Sequence, residues 1–404
     1  MSQISTDIVV VGAGPAGSAA ALLLARHGYD VTLLDRAVFP RDKACGEYLT
    51  PGAVAILRDE IGILPQLLDA RASVLTQETV VPHNGRAFSG RTNALACPRV
   101  VTDKALRDAA EAAGVHVLEN FNVRQIERTA DTISGVSGTN ASGEMQSINA
   151  KITIGADGTH SLVAREMGVV RPIPRLQRIA LVTHYRSDEG PDFGVTMHLP
   201  RDRSDACCGV GAACGSDQTR NVNIVVPLSE APLMAGRRQE YFEERLRRSF
   251  PEVWEWVKES VQSGPLTSIG CFGHHTSRAT TDGAVLVGDA ATFINPFTGE
   301  GVYFALHGAQ MAAASIDQAL TGGDVSRQSL SSYDRARHSE LLPRYKLCDL
   351  AQRIVHSPAL LGWGAERLRR SEPLTDLLLR AVGDVIRPAD LFSLPALRLA
   401  VGTF

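Results

Sequence analysis

The sequence predicts an α/β protein with a doubly wound parallel sheet, an inserted antiparallel sheet and a helical C-terminal region. Two stretches, Ile8–Asp35 and Gly283–Ala314, each run from an apolar strand through a glycine-rich turn into a helix of small residues. Short alternating segments between them have the pattern of antiparallel strands, and the chain after Arg327 has an amphipathic helical pattern. Strands that alternate with helices indicate a parallel sheet, whereas a run of strands indicates a separate one.

The first stretch contains the βαβ pattern of a Rossmann-like fold. Ile8–Val11 is typical of a buried parallel strand, and a helix is predicted over Pro15–His27. Between them stands G-x-G-x-x-G, formed by Gly12, Gly14 and Gly17. These glycines would permit a tight turn, the approach of a pyrophosphate and close helix–strand packing, respectively. The unit therefore predicts a dinucleotide site with the phosphates at the helix N-terminus.

Asp35 ends the second strand of this unit, Asp30–Leu34, where a carboxylate can bind both hydroxyl groups of a ribose. Arg36 follows and would attract a 2′-phosphate, but the acid beside it would repel that group. The pattern favours FAD or NAD and does not separate the two.

Composition excludes several classes of function. The chain has 404 residues, a net charge of −3 and a pI near 6.4, so no basic surface for nucleic acid is expected. Its 7 cysteines include no pair of C-x-x-C units, and the odd count argues against a disulfide framework. Ile8–Ala25 is apolar, but its fingerprint glycines explain it better than a membrane span, and no basic signal-peptide region precedes it. We therefore expect a cytoplasmic protein without a metal site, a transmembrane segment or a nucleic-acid partner.

The loop Arg36–Gly52 follows the second strand and is expected to lie along a dinucleotide. Arg41 and Lys43 either contact phosphates or remain solvated. Cys45, which precedes Gly46, is either an ordinary buried thiol or a group close to the chemistry.

A second sheet is predicted from short segments of alternating polarity, the first two forming a hairpin. These segments are Gln77–Pro82, Ala87–Leu95, Ile179–Tyr185, Gly194–Leu199, Cys207–Ala213 and Asn221–Pro227. His184, Tyr185 and His198 are candidates for substrate contact, or else structural residues. Gly209 and Gly211 lack a following helix pattern, so they are not a second dinucleotide fingerprint.

Two later stretches resemble the first. A short strand at Ile152–Gly155 precedes Asp157-Gly158 and a helix, and a strand at Ala284–Val287 precedes Gly288-Asp289. The loop after the second of these contains Pro296, Gly299 and Gly301 and leads to a helix from Val302. Each stretch directs a carboxylate and backbone N–H groups at a polar ligand. Anion sites so far apart in one chain suggest that they hold a single extended cofactor.

The chain from Arg327 onward is predicted to be a set of helices divided by prolines. The dividing residues are Pro343, Pro358, Pro373, Pro388 and Pro395. These helices either pack on the body of the protein or form a surface that docks to a membrane or a carrier protein.

With these residues assembled, the chain resembles FAD-dependent oxidoreductases of the para-hydroxybenzoate hydroxylase type, whose relatives include geranylgeranyl reductases and flavin halogenases. Three motifs in the family's order carry the resemblance: Gly12–Gly17, Asp157-Gly158 and Gly288-Asp289. Arg99, with Asp103 and Leu106, also matches a family helix whose arginine contacts FAD. Asp103 is predicted to lie in the N-cap region of that helix.

The resemblance implies FAD as cofactor and NAD(P)H as co-substrate. Asp35 would then bind the adenosine ribose and Asp289 the ribityl or pyrophosphate, and the helix N-terminus at Gly301–Val302 would stabilise negative charge on the flavin. The residues implied to bind the cofactor are Gly12, Ala13, Gly14, Pro15, Ala16, Gly17, Asp35, Arg36, Arg41, Cys45, Gly46, Arg99, Val123, Asp157, Gly158, Gly288, Asp289, Pro296, Gly299, Glu300, Gly301 and Val302.

The same resemblance implies an FAD-binding domain built from residues 1–75, 98–172 and 270–330. A substrate-binding sheet domain would comprise 76–97 and 173–269, and a helical region 331–404.

The reaction is less narrowly defined. The G-W-x-W-x-I-P segment of flavin halogenases is absent. The segments N-P-F-T-G-E-G and K-A-C-G-E-Y-L-T-P are similar to the geranylgeranyl reductase branch, although its Y-x-W-x-x-P motif is missing. The leading hypothesis is an NAD(P)H- and O2-dependent monooxygenase of an aromatic, polyketide or lipid-like molecule in secondary metabolism. The alternatives are a reductase of isolated C=C bonds and a non-catalytic flavin-binding protein.

Overall fold

A computed structural model describes residues 2–70, 72–186, 194–202, 208–214, 219–294, 298–355 and 357–395. The strands, numbered in chain order, are β1 (Ser2–Val11), β2 (Val31–Leu34), β3 (Tyr48–Leu49), β4 (Ser73–Val81), β5 (Phe88–Ala96), β6 (His116–Leu118), β7 (Asn122–Thr129), β8 (Thr132–Thr139), β9 (Met145–Gly155), β10 (Val170–Pro172), β11 (Arg178–Arg186), β12 (Gly194–His198), β13 (Cys208–Cys214), β14 (Thr219–Pro227), β15 (Val261–Gln262), β16 (Thr267–Phe272), β17 (His274–Thr276), β18 (Thr280–Thr281), β19 (Ala284–Leu286) and β20 (Thr292–Phe293). The α-helices are α1 (Pro15–Arg26), α2 (Pro51–Ile56), α3 (Leu64–Asp69), α4 (Arg99–Ala112), α5 (Leu162–Glu166), α6 (Arg238–Ser249), α7 (Pro251–Val257), α8 (Gly301–Thr321), α9 (Arg327–Val355), α10 (Pro358–Arg370) and α11 (Glu372–Val382).

The first sheet has a parallel core in the order β19-β9-β1-β2-β6. The apolar run Ile8–Val11 forms the last part of β1 and is buried between β9 and β2. The strand β9 also pairs with β8 near its start, and β8 with β7. Because strands in a parallel core all end at one edge, the turns after β1, β9 and β19 lie side by side.

The helix α1 packs between α4 and α8. Its small side chains, Ala19, Ala20 and Ala21 among them, are completely buried and permit close contact with the sheet and with α8. The doubly wound α/β architecture predicted from Ile8–Asp35 is confirmed.

The second sheet is mainly antiparallel, in the order β15-β11-β14-β13-β12-β4-β5-β3, with β16 beside β11. The predicted hairpin is confirmed as β4 and β5, and the pair β4–β12 is parallel. A small third sheet joins β10, β17 and β20. The predicted domain boundaries stay a prediction.

The predicted helix break at Pro343 is wrong, because α9 continues through this residue. Leu341 before it and Tyr345 and Leu347 after it are buried, so packing holds the helix across a residue that removes one backbone hydrogen bond. Pro358 instead begins α10, and Pro373 is the second residue of α11, where a missing N–H has no cost. Within the described residues, the structure contains no helix that combines the length and the apolar character needed to span a membrane.

Candidate functional site

The glycine turn after β1 is closed by its own backbone and by the turn after β9. Gly12 has a φ of +105°, and a Cβ there would lie 2.5 Å from the carbonyl oxygen of Ala156. A Cβ on Gly17 would lie 1.8 Å from the carbonyl oxygen of Gly12. The first motif therefore requires glycine at both positions and directly contacts the segment that leads to Asp157.

The turn after β19 meets the same place. Gly288 has a φ of +57°, and a Cβ there would lie 2.8 Å from the Cβ of Ala16 in α1. The short 3-10 turn Gly288–Ala290 also packs against the 3-10 turn Gly158–His160. The structure thus brings the three motifs, which are far apart in sequence, together around the N-terminus of α1.

The N-terminus of α1 is open toward an anion. Its N-cap, Gly14, provides no side-chain cap, and no acidic residue lies in the first turn. The group nearest to a Cβ on Gly14 is the guanidinium of Arg41, at 3.7 Å. Free backbone N–H groups, the helix dipole and a nearby cation together favour a phosphate.

Asp35 holds the turn in place. Its Oδ2 accepts a hydrogen bond from the Ala13 N–H at 2.9 Å, and its Oδ1 accepts one from the Ala37 N–H at 2.9 Å. A carboxylate has about four acceptor positions, so these two bonds leave room for ribose hydroxyls. Arg36 is exposed beside it. Val123 lies two residues after Phe121, whose N–H donates to the Asp35 carbonyl. Val123 is therefore close to Asp35.

The two later acids differ in their surroundings. Asp157 accepts a hydrogen bond from the Leu162 N–H at 2.6 Å through Oδ2, whereas its buried Oδ1 has no partner among the described residues. Burial raises the pKa of Asp157. Lys43 approaches from the long loop, and burial lowers its pKa while Asp289 opposes that shift. An orphaned buried acceptor and a desolvated lysine indicate a site built for a polar group that enters it.

Arg41 and Arg99 share one partner. Arg99 makes two bonds to Asp103, at 2.6 and 2.7 Å, and Arg41 makes a third at 2.7 Å. The proposed N-cap position of Asp103 is wrong, because α4 starts at Arg99 and Asp103 lies four residues inside it. The Cys45 side chain contacts Arg99. This ion cluster fixes the start of α4 against the loop.

The turn before α8 carries the last group of residues predicted to bind the cofactor. Gly299 has a φ of +73°, and a Cβ there would lie 2.6 Å from the ring of Tyr48. Glu300 is 1% exposed at the N-cap of α8, Gly301 begins the helix, and Val302 packs into the core. Pro296 lies outside the described residues.

One face of the second sheet is turned toward the long loop. Paired residues of β11 and β14 on this inner face are Ala180–Val225, Val182–Asn223 and His184–Asn221. The apolar members pack with Ala44 and Phe293. The inner face is therefore apolar with a short row of polar side chains.

That polar row is joined to the loop by hydrogen bonds. Nε2 of His184 lies 2.9 Å from Oε2 of Glu47, which is 3% exposed. The Asn221 amide donates to the Cys45 carbonyl at 2.8 Å, and the Asn223 amide to Asn221 at 3.0 Å. Gly46 passes close to Asn223, since a Cβ on it would lie 3.4 Å from that amide nitrogen. Glu47 also has a φ of +58°, an uncommon conformation for a residue with a side chain.

Two of the four catalytic candidates are displaced from this face. Tyr185 follows His184, so strand alternation turns it to the opposite, outer face, where its ring makes an edge contact with Trp256. His198 pairs with Gly209, which pairs with the outer-face residue Ile224. The structure therefore places Tyr185 and His198 on the outer face, whereas Cys45 and His184 lie close together at the inner face.

Sequence reasoning missed Glu47, Asn221 and Asp384. Glu47 was visible only as part of C-G-E, and Asn221 as one polar position in a strand pattern. Asp384 follows α11 and reaches Thr50, whose hydroxyl donates to it at 2.9 Å. No local pattern links residues 334 positions apart in this way.

The chain is similar to several known proteins. The family described as "FAD binding domain" matches residues 5–341. A menaquinone reductase of Mycolicibacterium smegmatis is 27% identical over 95% of this chain and 93% of its own length. Conditioned medium factor receptor 1 of Dictyostelium discoideum is 30% identical over 81% of this chain. The match covers only 66% of the length of that relative. The solved structure of the flavin-dependent brominase Bmp2 shares the fold, with a TM-score of 0.83, 21% identity and coverage of 96% and 97% of the two chains.

Proposed function

Because the chain belongs to the FAD binding domain family of FAD-dependent oxidoreductases, we propose that it reduces a carbon–carbon double bond in a lipid-like substrate with electrons from NAD(P)H. The observation that carries the proposal is the hydrogen bond between His184 and Glu47, on a face that is apolar apart from the polar row of His184, Asn221 and Asn223. Reduction of a double bond needs a hydride and a proton. Hydroxylation of a phenolate needs no side-chain acid.

The residues around the N-terminus of α1 fit FAD, and we propose that they form one groove with the turn before α8. The phosphates would lie on the α1 N-terminus beside Gly14, the adenosine ribose on Asp35, and the flavin between Gly299 and the inner face. The orphaned Oδ1 of Asp157 and the open helix N-terminus are the observations that make the fit. When bound, FAD would supply the hydride and accept electrons from NAD(P)H.

The chain itself would hold the proton. A proton shared between His184 and Glu47 can be delivered to the carbon that does not receive the hydride, and it is replaced from solvent. Asn221 fixes the position of the loop, because its amide donates a hydrogen bond to the Cys45 carbonyl. Positioned general acids typically contribute about 100- to 10,000-fold in rate.

The remaining inner face would bind the hydrocarbon. Ala44, Ala180, Val182 and Phe293 present no charge to a substrate, and they exclude water from the place where the proton and hydride are transferred. The near full-length likeness to a menaquinone reductase supports reduction over oxygenation.

NAD(P)H would reach the flavin without a domain of its own. The strand β13, which carries Gly209 and Gly211, is antiparallel to both its neighbours and leads into no helix among the described residues. A second dinucleotide groove is therefore not part of this proposal.

The experiment uses the purified FAD-loaded protein, reduced without oxygen and mixed with menaquinone or a geranylgeranyl lipid. We expect flavin reoxidation and a product that has gained two hydrogens at a carbon–carbon double bond of its isoprenoid chain, rather than at the quinone ring. Glu47→Gln and His184→Asn should slow this step at least about 100-fold while reduction by NAD(P)H stays unchanged. Tyr185→Phe, the neighbour on the outer face, is the matched control. Equal slowing by the control, or no slowing by the two variants, would refute the assigned proton source.

Oxygenation is the second candidate, and the water-excluding inner face favours it equally. A product that forms only in air and contains one atom from labelled O2 would establish a monooxygenase instead. NAD(P)H oxidation that no ligand stimulates would support a non-catalytic flavin-binding protein.

A further inference from the structure

Two buried carboxyl groups meet directly before α8. Glu300 stands at the N-cap of this helix and is 1% exposed, and the Asp384 side chain is fully buried. The two side chains are in hydrogen-bonding contact. Asp384 comes from the segment after α11, so the C-terminal region reaches the turn that contains Gly299.

Backbone contacts bring the segment after α11 close to Gly52. Gly52 donates its N–H to the Gly383 carbonyl at 2.9 Å, and a Cβ on Gly52 would lie 2.4 Å from the Cβ of Asp384. Asp384 itself has a φ of +65°. Asp384 has a left-handed conformation that is uncommon for a residue with a side chain, and Gly52 lacks the side chain that would clash with it. Both features indicate that the contact is specific.

The donors around the pair are unequally divided. Asp384 accepts from Arg344 Nη1 at 2.8 Å and from the Thr50 hydroxyl at 2.9 Å. Oε2 of Glu300 accepts from the Cys348 thiol at 2.8 Å, and the Thr298 side chain also hydrogen-bonds to Glu300, so both donors of Glu300 are uncharged. Oε1 of Glu300 is buried without a donor among the described residues.

Two adjacent buried carboxyls with one hydrogen-bonded arginine cannot both be ionised without leaving an unbalanced charge. Arg344 and Thr50 stabilise the ionised form of Asp384, so the proton belongs on Glu300, where it also satisfies the contact between the two acids. Burial raises the pKa of both carboxyl groups, and the hydrogen-bonded Arg344 opposes that rise at Asp384. The other titratable groups that face the pair are neutral as well: burial raises the pKa of the Cys348 thiol and raises that of Tyr303 to about 12.

We propose that Asp384 is a positioning residue that keeps Glu300 protonated, so that the first turn of α8 retains its positive field for the anionic edge of a reduced flavin. This rests on the proposed FAD site. An ionised Glu300 would place a negative charge directly before Gly301, where the free N–H groups begin, and would cancel that field.

The protonation of Glu300 is tested first, in the FAD-free protein. Infrared spectroscopy at neutral pH should show the carbonyl stretch of a protonated carboxylic acid that disappears in Glu300→Gln. Asp384→Asn should remove the same band, since Glu300 would then be the only partner for Arg344 and would ionise. Asn also tolerates the left-handed backbone at this position. Asp390→Asn, which changes a half-buried acid in the same segment, is the control and should leave the band unchanged. A band that survives in either test variant overturns the proposal.

The effect of the first turn of α8 on the flavin is tested by the reduction potential of bound FAD. Asp384→Asn should shift the potential to more negative values, whereas Glu300→Gln, which replaces one neutral group by another, should leave it near that of the wild type. Equal potentials in all three proteins, each with FAD bound, overturn the proposed effect on the flavin. Failure of the wild type to bind FAD would instead refute the proposed function, and it would leave the infrared result standing for the proton.

Discussion

A methyl group on Gly17 would lie 1.8 Å from the carbonyl oxygen of Gly12. This distance is far shorter than a van der Waals contact. The turn from Gly12 to Gly17 can therefore form only when Gly17 has no side chain. The carbonyl belongs to the same residue whose Cα faces Ala156 and, through it, Asp157. Two of the three motifs are therefore fixed by two close contacts that share Gly12.

Gly17→Ala should displace the glycine turn and weaken FAD binding by at least about 10-fold, because one lost interaction of roughly 1.4 kcal/mol has that effect. Fluorescence titration with FAD measures it. Gly364→Ala is the control, since no atom lies within 4 Å of its added methyl group. Binding by Gly17→Ala equal to that of the control would contradict the close packing.

Asp103→Asn should destabilise the protein by about 3–5 kcal/mol, since it leaves the buried Arg99 guanidinium without its charge partner. Urea unfolding measures the change. Asp108→Asn removes an exposed pair at the same spacing in the same helix, with Lys104, and should cost at most about 0.5 kcal/mol. Similar losses for both variants would show that burial does not control the cluster.

Asp157→Asn should weaken FAD binding about 10- to 100-fold, because an amide keeps the shape of the side chain but loses a charged acceptor worth roughly 1.5–3 kcal/mol. Asp131→Asn, an exposed acid between β7 and β8, should bind FAD as the wild type does. Unchanged affinity in Asp157→Asn would remove the orphaned Oδ1 from the groove.

His198 should make the folded protein less stable in mild acid. Burial lowers the pKa of His198 from 6.5 to about 4. The unfolded chain therefore takes up a proton between these values while the folded chain does not. Stability is fully present above pH 6.5 and falls as the pH decreases toward 4.

His198→Gln removes this titration and should flatten the decline. Urea unfolding at a series of pH values compares the two proteins, and the wild type should lose up to roughly 3 kcal/mol more than the variant. Parallel curves would mean that His198 titrates equally in both states.

The sequence was informative wherever the chemistry is local. The spacing of Gly12, Gly14 and Gly17 and the apolar run before them specify a turn whose geometry involves few other residues. The prediction at Pro343 was wrong because local helix propensity yields to buried neighbours on both sides.

The two faces of β11 could not be assigned from the sequence. Leu181 and Val182 are both buried, so hydrophobic alternation does not show which face His184 shares with the loop. Asp384 was out of reach for a different reason. Its role depends on α11 docking against β5, which is a long-range contact without a local pattern.

The central claim is that three remote segments form a single FAD groove. The most direct measurement is titration of the FAD-free protein with FAD, followed by quenching of flavin fluorescence, for the wild type, Gly17→Ala and Asp289→Asn. We predict saturation at one FAD per chain in the wild type and weakened binding in both variants, which lie on different motifs. No saturable binding by the wild type, or unchanged binding by both variants, would contradict the claim.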